Sequence, residues 1–142
     1  MNPQFEPSTG ALHLAEPAGS ESLSVLFAGD FCPRMRTEPL VREGRFDGIL
    51  EGVLPALRDK DLSFVNLEAP LTEGGAPIPK SGPNLRVPHR SAELLNAMGF
   101  DAVSLANNHV GDYGPGPVLE TMEVMNLAGV RRLAEHFAGQ LD

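Results

Sequence analysis

Three short apolar segments of this chain each run directly into polar side chains that can bind a metal ion. The segments are Leu23–Ala28, Leu62–Val65 and residues 101–106. The polar residues that follow them are Asp30, then Asn66 and Glu68, then Asn108 and His109. In an open α/β sheet the ligand crevice lies outside the carboxyl ends of the strands. We therefore expect all five side chains to meet at one edge of a sheet.

Helical patterns separate these segments. Apolar residues favour helices over 46–57, 91–98 and 117–128. Pro55 either kinks the first helix or restarts it; Ser91 is the expected N-cap of the second, which ends at Gly99. Pro117 is expected to start the third helix and Gly129 to stop it. The alternation predicts an α/β fold, with parallel strands and helices on the faces of the sheet.

The chain has 142 residues, enough for one domain. Residues 1–22 resemble a flexible leader, and 23–129 carry the strand and helix pattern. Residues 69–89 form a long, proline-containing loop of the kind that is usually functional or mobile. Apolar residues at helical spacing predict a helical tail over 130–142.

The charge of the chain limits its partners. A net charge of −8 argues against nucleic acid and anionic membranes and suits divalent cations. The single cysteine, Cys32, excludes an internal disulfide framework. No apolar run reaches the ~18 residues of a membrane span, and residues 1–22 lack the basic and apolar regions of a signal peptide. We expect a cytoplasmic location by default.

Asp30, Asn66 and Glu68 each have a functional and a structural interpretation. A carboxylate after Gly29 suits Mg²⁺, Mn²⁺ or Zn²⁺, but an aspartate at this position alone is more often a turn residue that binds backbone amides. Asn66 and Glu68 flank Leu67, so both point to one face of an extended strand. Glu68 could bridge two metals and Asn66 could offer its carbonyl oxygen, or both could bond the long loop.

His109 has the strongest functional pattern. Two asparagines precede it and Asp112 follows three residues later. A metal-bound histidine needs its second ring nitrogen held, which Asp112 could do. We predict His109 and Asp112 as catalytic residues, with His109 also a metal ligand. The other histidines are expected at the surface or in packing; they are His13, His89 and His136.

Other polar residues carry weaker signals. Arginines on crevice-side loops could bind an anionic substrate, although loop arginines are usually only solvated. They are Arg34, Arg36, Arg86 and Arg90, of which Arg34 and Arg86 are the predicted substrate-binding residues. Cys32 is more simply a small buried residue, and Glu38 occupies the position where a Cys-x5-Arg phosphatase loop needs arginine. Pro115 and Pro117 exclude a phosphate loop at 111–117, since they lack amide hydrogens.

Three runs resemble one known family. Phe27-Ala28-Gly29-Asp30, Asn66-Leu67-Glu68-Ala69-Pro70-Leu71 and Ala106-Asn107-Asn108-His109, with Asp112 and Gly114, resemble the CapA-type poly-γ-glutamate capsule biosynthesis proteins. These belong to the calcineurin-like metallophosphoesterase superfamily, and the resemblance covers roughly residues 23–130. It implies a sandwich fold, hydrolase activity and a site for one or two divalent ions, with Mn, Mg, Zn and Fe all open. It also implies metal-site roles for Asp30, Glu68, Asn108 and His109, with Asn66 beside them.

The chain departs from that family after Gly129. Family members carry later strands with Gly-His-x-His motifs, which this sequence lacks. We therefore expect the amino-terminal half of the domain, weak metal binding, little or no hydrolysis, and self-association through an open sheet edge. The expected substrate is an anionic small molecule or polymer. The alternative function is a non-catalytic accessory protein that binds a partner in polymer synthesis or export.

Overall fold

The computed structural model describes residues 4–6, 11–13 and 23–132. Two short strands, β1 (Gln4–Glu6) and β2 (Ala11–His13), pair antiparallel within the segment predicted as a flexible leader. The rest of that segment lies outside the described residues. The central sheet is parallel and has four strands in chain order: β3 (Val25–Phe31), β4 (Leu62–Leu67), β5 (Ala102–Ser104) and β6 (Arg131–Arg132).

The connections between these strands are helical, as the sequence predicts. They contain α1 (Glu38–Glu43), α2 (Asp47–Val53) with a 3₁₀ turn at Leu54–Leu57, α3 (Ser91–Met98) and α4 (Pro115–Leu127). Pro55 lies in the 3₁₀ turn, where the regular helix has ended. Among the described residues, no helix combines the length and apolar character needed to cross a bilayer.

Strand order determines where the helices pack. Because neighbouring strands follow chain order, right-handed crossovers put the connecting helices over one face of the sheet. On that face Ser63, Val65 and Leu67 are buried, in alternation with partly exposed neighbours. They share the core with residues from the helices and loops, chiefly Val41, Leu71, Leu94, Leu95 and Met125. On the other face Phe27 stacks on Phe64, with ring centroids 5.2 Å apart, and is 77% exposed.

Two strands extend further than the apolar pattern predicts, and both extensions reach the candidate site. The sequence favours strands that end at Ala28 and Val65, but β3 continues to Phe31 and β4 to Leu67. The pairing register shifts between Phe27 and Asp30. Such a bulge re-aims the side chains that follow it, and here it pairs Asp30 with Asn66.

Two helix predictions need correction, and one helix was missed. Ser91 is not an N-cap: Arg90 precedes the helix, and Ser91 is a buried first residue whose Oγ has no hydrogen-bond partner among the described residues. Helix α4 starts at Pro115 rather than Pro117, because either proline suits a first turn. Helix α1 was not predicted. The stop at Gly99 is confirmed by its left-handed backbone, with φ of 71°.

The predicted helical tail over 130–142 begins with a short strand instead of a helix. Gly129 has φ of 75°, which turns the chain so that Arg131 pairs with Ala102 and Arg132 with Val103 in the parallel sheet. The chain therefore enters a fourth strand where a helix was expected from Val130. Residues 133–142, which hold the rest of the predicted tail, lie outside the described residues.

Candidate functional site

Asp30 and Glu68 are connected by the side-chain amide of Asn66. Asn66 Nδ2 donates to Asp30 Oδ1 at 2.8 Å and to Glu68 Oε2 at 2.6 Å. Asp30 is exposed, whereas the Glu68 side chain is only 16% exposed. One N–H₂ group therefore faces two carboxylates at the carboxyl ends of β3 and β4. Each carboxylate retains a second oxygen that Asn66 does not use.

The loop after β5 brings His109 to the same place. His109 Nε2 lies 3.7 Å from Glu68 Oε1, and its Nδ1 lies 2.7 Å from Asp112 Oδ2. Asn107 fixes this loop, because its Oδ1 accepts hydrogen bonds from the backbone amides of His109 and Val110, each 2.9 Å long. Asp30, Glu68 and His109 thus meet at one sheet edge, as the strand order requires.

Asp112 connects the histidine loop to the long loop over 69–89. Its backbone carbonyl accepts from the Ile78 amide at 2.9 Å and from Asn84 Nδ2 at 3.0 Å. Its carboxylate accepts from the Leu85 amide at 2.7 Å, and Lys80 Nζ forms an ion pair with it. Lys80 Nζ also lies 3.1 Å from His109 Nδ1. The long loop is therefore tied down beside His109.

The Asp112 carboxyl is held ionised despite full burial. Burial raises the pKa of Asp112, but hydrogen bonds from Lys80, His109 and the Leu85 amide lower it more, so the pKa lies below its ordinary value. An ionised carboxylate only accepts hydrogen bonds, so the proton in the His109–Asp112 contact lies on Nδ1. A hydrogen on Nδ1 leaves Nε2 as the ring nitrogen that faces Glu68.

Not all of the predicted metal-site residues contact one another. Asn108 is exposed in the same loop as His109. Within the ranges that the structure describes, no three His, Cys, Asp or Glu side chains are arranged to share one metal ion. The Asn66 amide lies between the carboxylates of Asp30 and Glu68.

The predicted substrate-binding arginines have different surroundings. Arg34 is half-buried near Cys32, whereas the Arg86 guanidinium lies 5.1 Å from the Tyr113 ring centroid and bonds the Glu73 carbonyl at 3.5 Å. Arg36 is exposed. Arg90 bonds the Arg42 carbonyl at 3.1 Å, a structural contact.

Cys32 and His89 have structural surroundings. Burial raises the pKa of the Cys32 thiol, as expected for a half-buried residue that stays protonated. His89 lies away from the cluster, with Nε2 2.6 Å from Glu120 Oε1; Thr72 bonds the same carboxylate. The side chains of His13 and His136 lie outside the part of the chain that the structure describes.

Two residues of the site were missed by sequence reasoning. Lys80 stands in a loop whose length was the only signal of function, and Asn107 was seen only as part of an Asn-Asn-His run. Lys80 lies 32 residues before Asp112, and Asn107 lies 41 residues after Asn66. Contacts over such separations depend on how the strands are ordered, which a single residue type does not reveal.

The chain is similar to a known protein family and to a curated relative. Residues 24–133 match the model of the family described as bacterial capsule synthesis protein PGA_cap. The capsule biosynthesis protein CapA of Bacillus anthracis is 26% identical over 112 residues, which are 77% of this chain and 27% of that protein. The chain thus spans about a quarter of the length of the curated relative that it matches.

Proposed function

Because the chain belongs to the bacterial capsule synthesis protein PGA_cap family, we propose that it acts in capsule biosynthesis through a divalent-metal site of the phosphoesterase type. One observation carries the proposal: Glu68 Oε1 and His109 Nε2 face each other at 3.7 Å at the sheet edge that Asp30 also reaches. Hydrolysis of a phosphate ester or a related bond is the reaction that such a site supports.

The donor atoms of this edge suit a divalent cation. Two atoms that each lie about 2.1 Å from one ion are at most about 4.2 Å apart, so the Glu68–His109 separation is compatible with a shared ion. Asp30 Oδ2 and Glu68 Oε1 are carboxylate oxygens that Asn66 leaves unused. A mixture of carboxylate oxygen and imidazole nitrogen suits Mn²⁺, Zn²⁺ and Fe²⁺, and Mg²⁺ less well.

In this proposal Glu68 and His109 hold the metal between them. Asp30, at the same sheet edge, and Asn108, in the same loop as His109, complete the ligand set when an ion binds. When bound, the ion would activate a water molecule and polarise a phosphoryl oxygen. Asp112 keeps the proton of His109 on Nδ1 and so directs the Nε2 lone pair to the site.

The substrate in this proposal is anionic. Arg34 and Arg86 are its candidate binding residues, because a guanidinium recognises a phosphate or carboxylate through paired N–H donors. Since the chain itself carries a net charge of −8, such local cations and a bound metal ion are needed to attract an anion. A capsule polymer or a phosphorylated precursor of one has this chemistry.

The experiment is a calorimetric titration of inorganic phosphate into the chain, with and without Mn²⁺. We expect phosphate binding only with Mn²⁺, and its loss in Glu68→Gln. The matched control is Glu123→Gln, an exposed carboxylate on α4. We expect at most slow hydrolysis of a generic phosphodiester by the same samples. Equal phosphate binding with and without Mn²⁺ would overturn the proposal. Unchanged phosphate binding in Glu68→Gln would do the same.

A further inference from the structure

The side-chain amide of Asn107 has only one orientation that satisfies its neighbours. Its Nδ2 donates to the Leu67 carbonyl oxygen at 2.8 Å, and its Oδ1 accepts from the amides of His109 and Val110. A backbone carbonyl only accepts and a backbone N–H only donates. Exchanging the nitrogen and oxygen of Asn107 would therefore lose all three hydrogen bonds.

The fixed orientation of the Asn107 amide also determines the orientation of the Asn66 amide. The same Asn107 Nδ2 donates to Asn66 Oδ1 at 3.1 Å, which leaves the Asn66 N–H₂ group on the side of the two carboxylates. There it donates to Asp30 and Glu68. A flipped Asn66 amide would place its oxygen against two carboxylates and its nitrogen against the nitrogen of Asn107. Six hydrogen bonds depend on the present orientation of the two amides, four of them donated and two accepted.

We propose that Asn66 is a positioning residue that holds Asp30 and Glu68 through its N–H groups, and that Asn107 fixes the amide orientation this requires. The inference replaces the sequence-based assignment of Asn66 as a ligand through its carbonyl oxygen. The part of this inference that concerns a bound metal rests on the proposed function, whereas the orientation of the two amides is independent of it.

This arrangement has a physical consequence for the site. Two carboxylates that face each other repel, and an N–H₂ group between them offsets the repulsion before any cation binds. The oxygens bound to Asn66 are Asp30 Oδ1 and Glu68 Oε2, so Asp30 Oδ2 and Glu68 Oε1 are the ones presented outward. Glu68 Oε1 is the oxygen that faces His109 Nε2. Outer partners of this kind typically change metal affinity by about 10–100-fold when removed.

The test follows the side-chain N–H₂ signals of Asn66 by NMR in ¹⁵N-labelled protein without metal. Asn107→Asp keeps an oxygen for the His109 and Val110 amides but removes the donor to Asn66. We expect this change to displace the Asn66 signals. Asn96→Asp adds the same charge at an exposed position of α3, outside the site, and should leave them in place. Equal effects of the two variants would overturn the role of Asn107.

A second measurement uses the unaltered chain, and so holds even if Asn107→Asp does not fold. Zn²⁺, which is diamagnetic, is added to saturation while exchange of the Asn66 N–H₂ protons with water is measured. We expect slow exchange throughout, because the amide protons stay hydrogen-bonded to the carboxylates. A tenfold or greater acceleration would show that the amide has flipped to ligate the ion, and would overturn the positioning role. If no Zn²⁺ binds, the proposed function fails, while the NMR comparison of variants still decides the role of Asn66.

Discussion

His109 Nδ1 lies 2.7 Å from Oδ2 of Asp112, a carboxylate that is fully buried. The spacing of the two residues in the sequence predicted this contact, and the structure confirms it. The contact couples two loops, because Asp112 also binds Lys80 and the Leu85 backbone amide of the long loop. The orientation of the imidazole and the docking of the loop therefore depend on the same carboxylate.

The first prediction concerns acid stability. The pKa of Asp112 is lower in the folded chain than in the unfolded chain, so the native state binds fewer protons. The stabilisation is fully present above the ordinary aspartate range, about pH 4, and is lost as the pH falls through the lowered folded value. Urea unfolding at pH values from 7 to 3 should show this loss. Asp112→Asn should flatten the pH dependence over that interval, and an unchanged profile would contradict the account.

The second prediction concerns Lys80. Lys80→Met leaves the buried Asp112 carboxylate without its ion-pair partner, so we expect a loss of about 2–4 kcal/mol in the free energy of unfolding at pH 7. Arg58→Met removes an exposed cation from the other end of β4 and serves as control, with an expected change within about 0.5 kcal/mol. Similar losses in both variants would mean that Lys80 acts only through net charge.

The third prediction tests the packing of the long loop. Gly75 has φ of 76°, and a Cβ there would lie 2.8 Å from the Tyr113 carbonyl oxygen and from Pro117 Cγ. Gly75→Ala should therefore destabilise the chain by about 1–3 kcal/mol in thermal or urea unfolding. Gly74→Ala is the matched control, since a Cβ at Gly74 meets no atom within 4 Å. Equal stability of the two variants would show that the loop does not pack against 113–117.

The fourth prediction concerns self-association. β3 lies at an edge of the sheet that the structure describes. Its Phe27 is 77% exposed, and Leu23, just before the strand, is 72% exposed. We expect concentration-dependent dimers or larger species in light scattering, reduced by Phe27→Lys. Leu119→Lys alters an exposed apolar residue of α4 and should have no such effect. A monodisperse monomer at high concentration in the unaltered chain would contradict this expectation.

Sequence reasoning recovered the features that repeat along the chain. Alternation of apolar segments and helical patterns predicted the parallel strands, and the polar residues after them predicted which edge holds the site. Helix α1 was missed because Glu38–Glu43 is too short for a periodic pattern, with only Leu40 and Val41 as large apolar residues. Ser91 was misjudged because its residue type suits an N-cap, whereas the backbone at Arg90 already has helical dihedral angles.

The details of the site depend on packing between distant segments. Asp30 and Glu68 were found because each follows an apolar strand. The orientation of the Asn66 amide depends on Asn107, which a pairing of two later strands brings beside it. No local pattern encodes that contact. The sequence suggested Asn66 as a ligand because it lies with Glu68 on one face of the strand and because of the family resemblance.

Direct titration of Mn²⁺ into the chain tests most closely the proposal that Glu68 and His109, completed by Asp30, bind a divalent metal ion. We predict weak, saturable binding by calorimetry, reduced at least tenfold by Glu68→Gln and by His109→Ala, and unchanged by Glu123→Gln. Circular dichroism would establish that each variant is folded. Binding that is absent in the unaltered chain, or equally strong in Glu68→Gln and Glu123→Gln, would contradict the account.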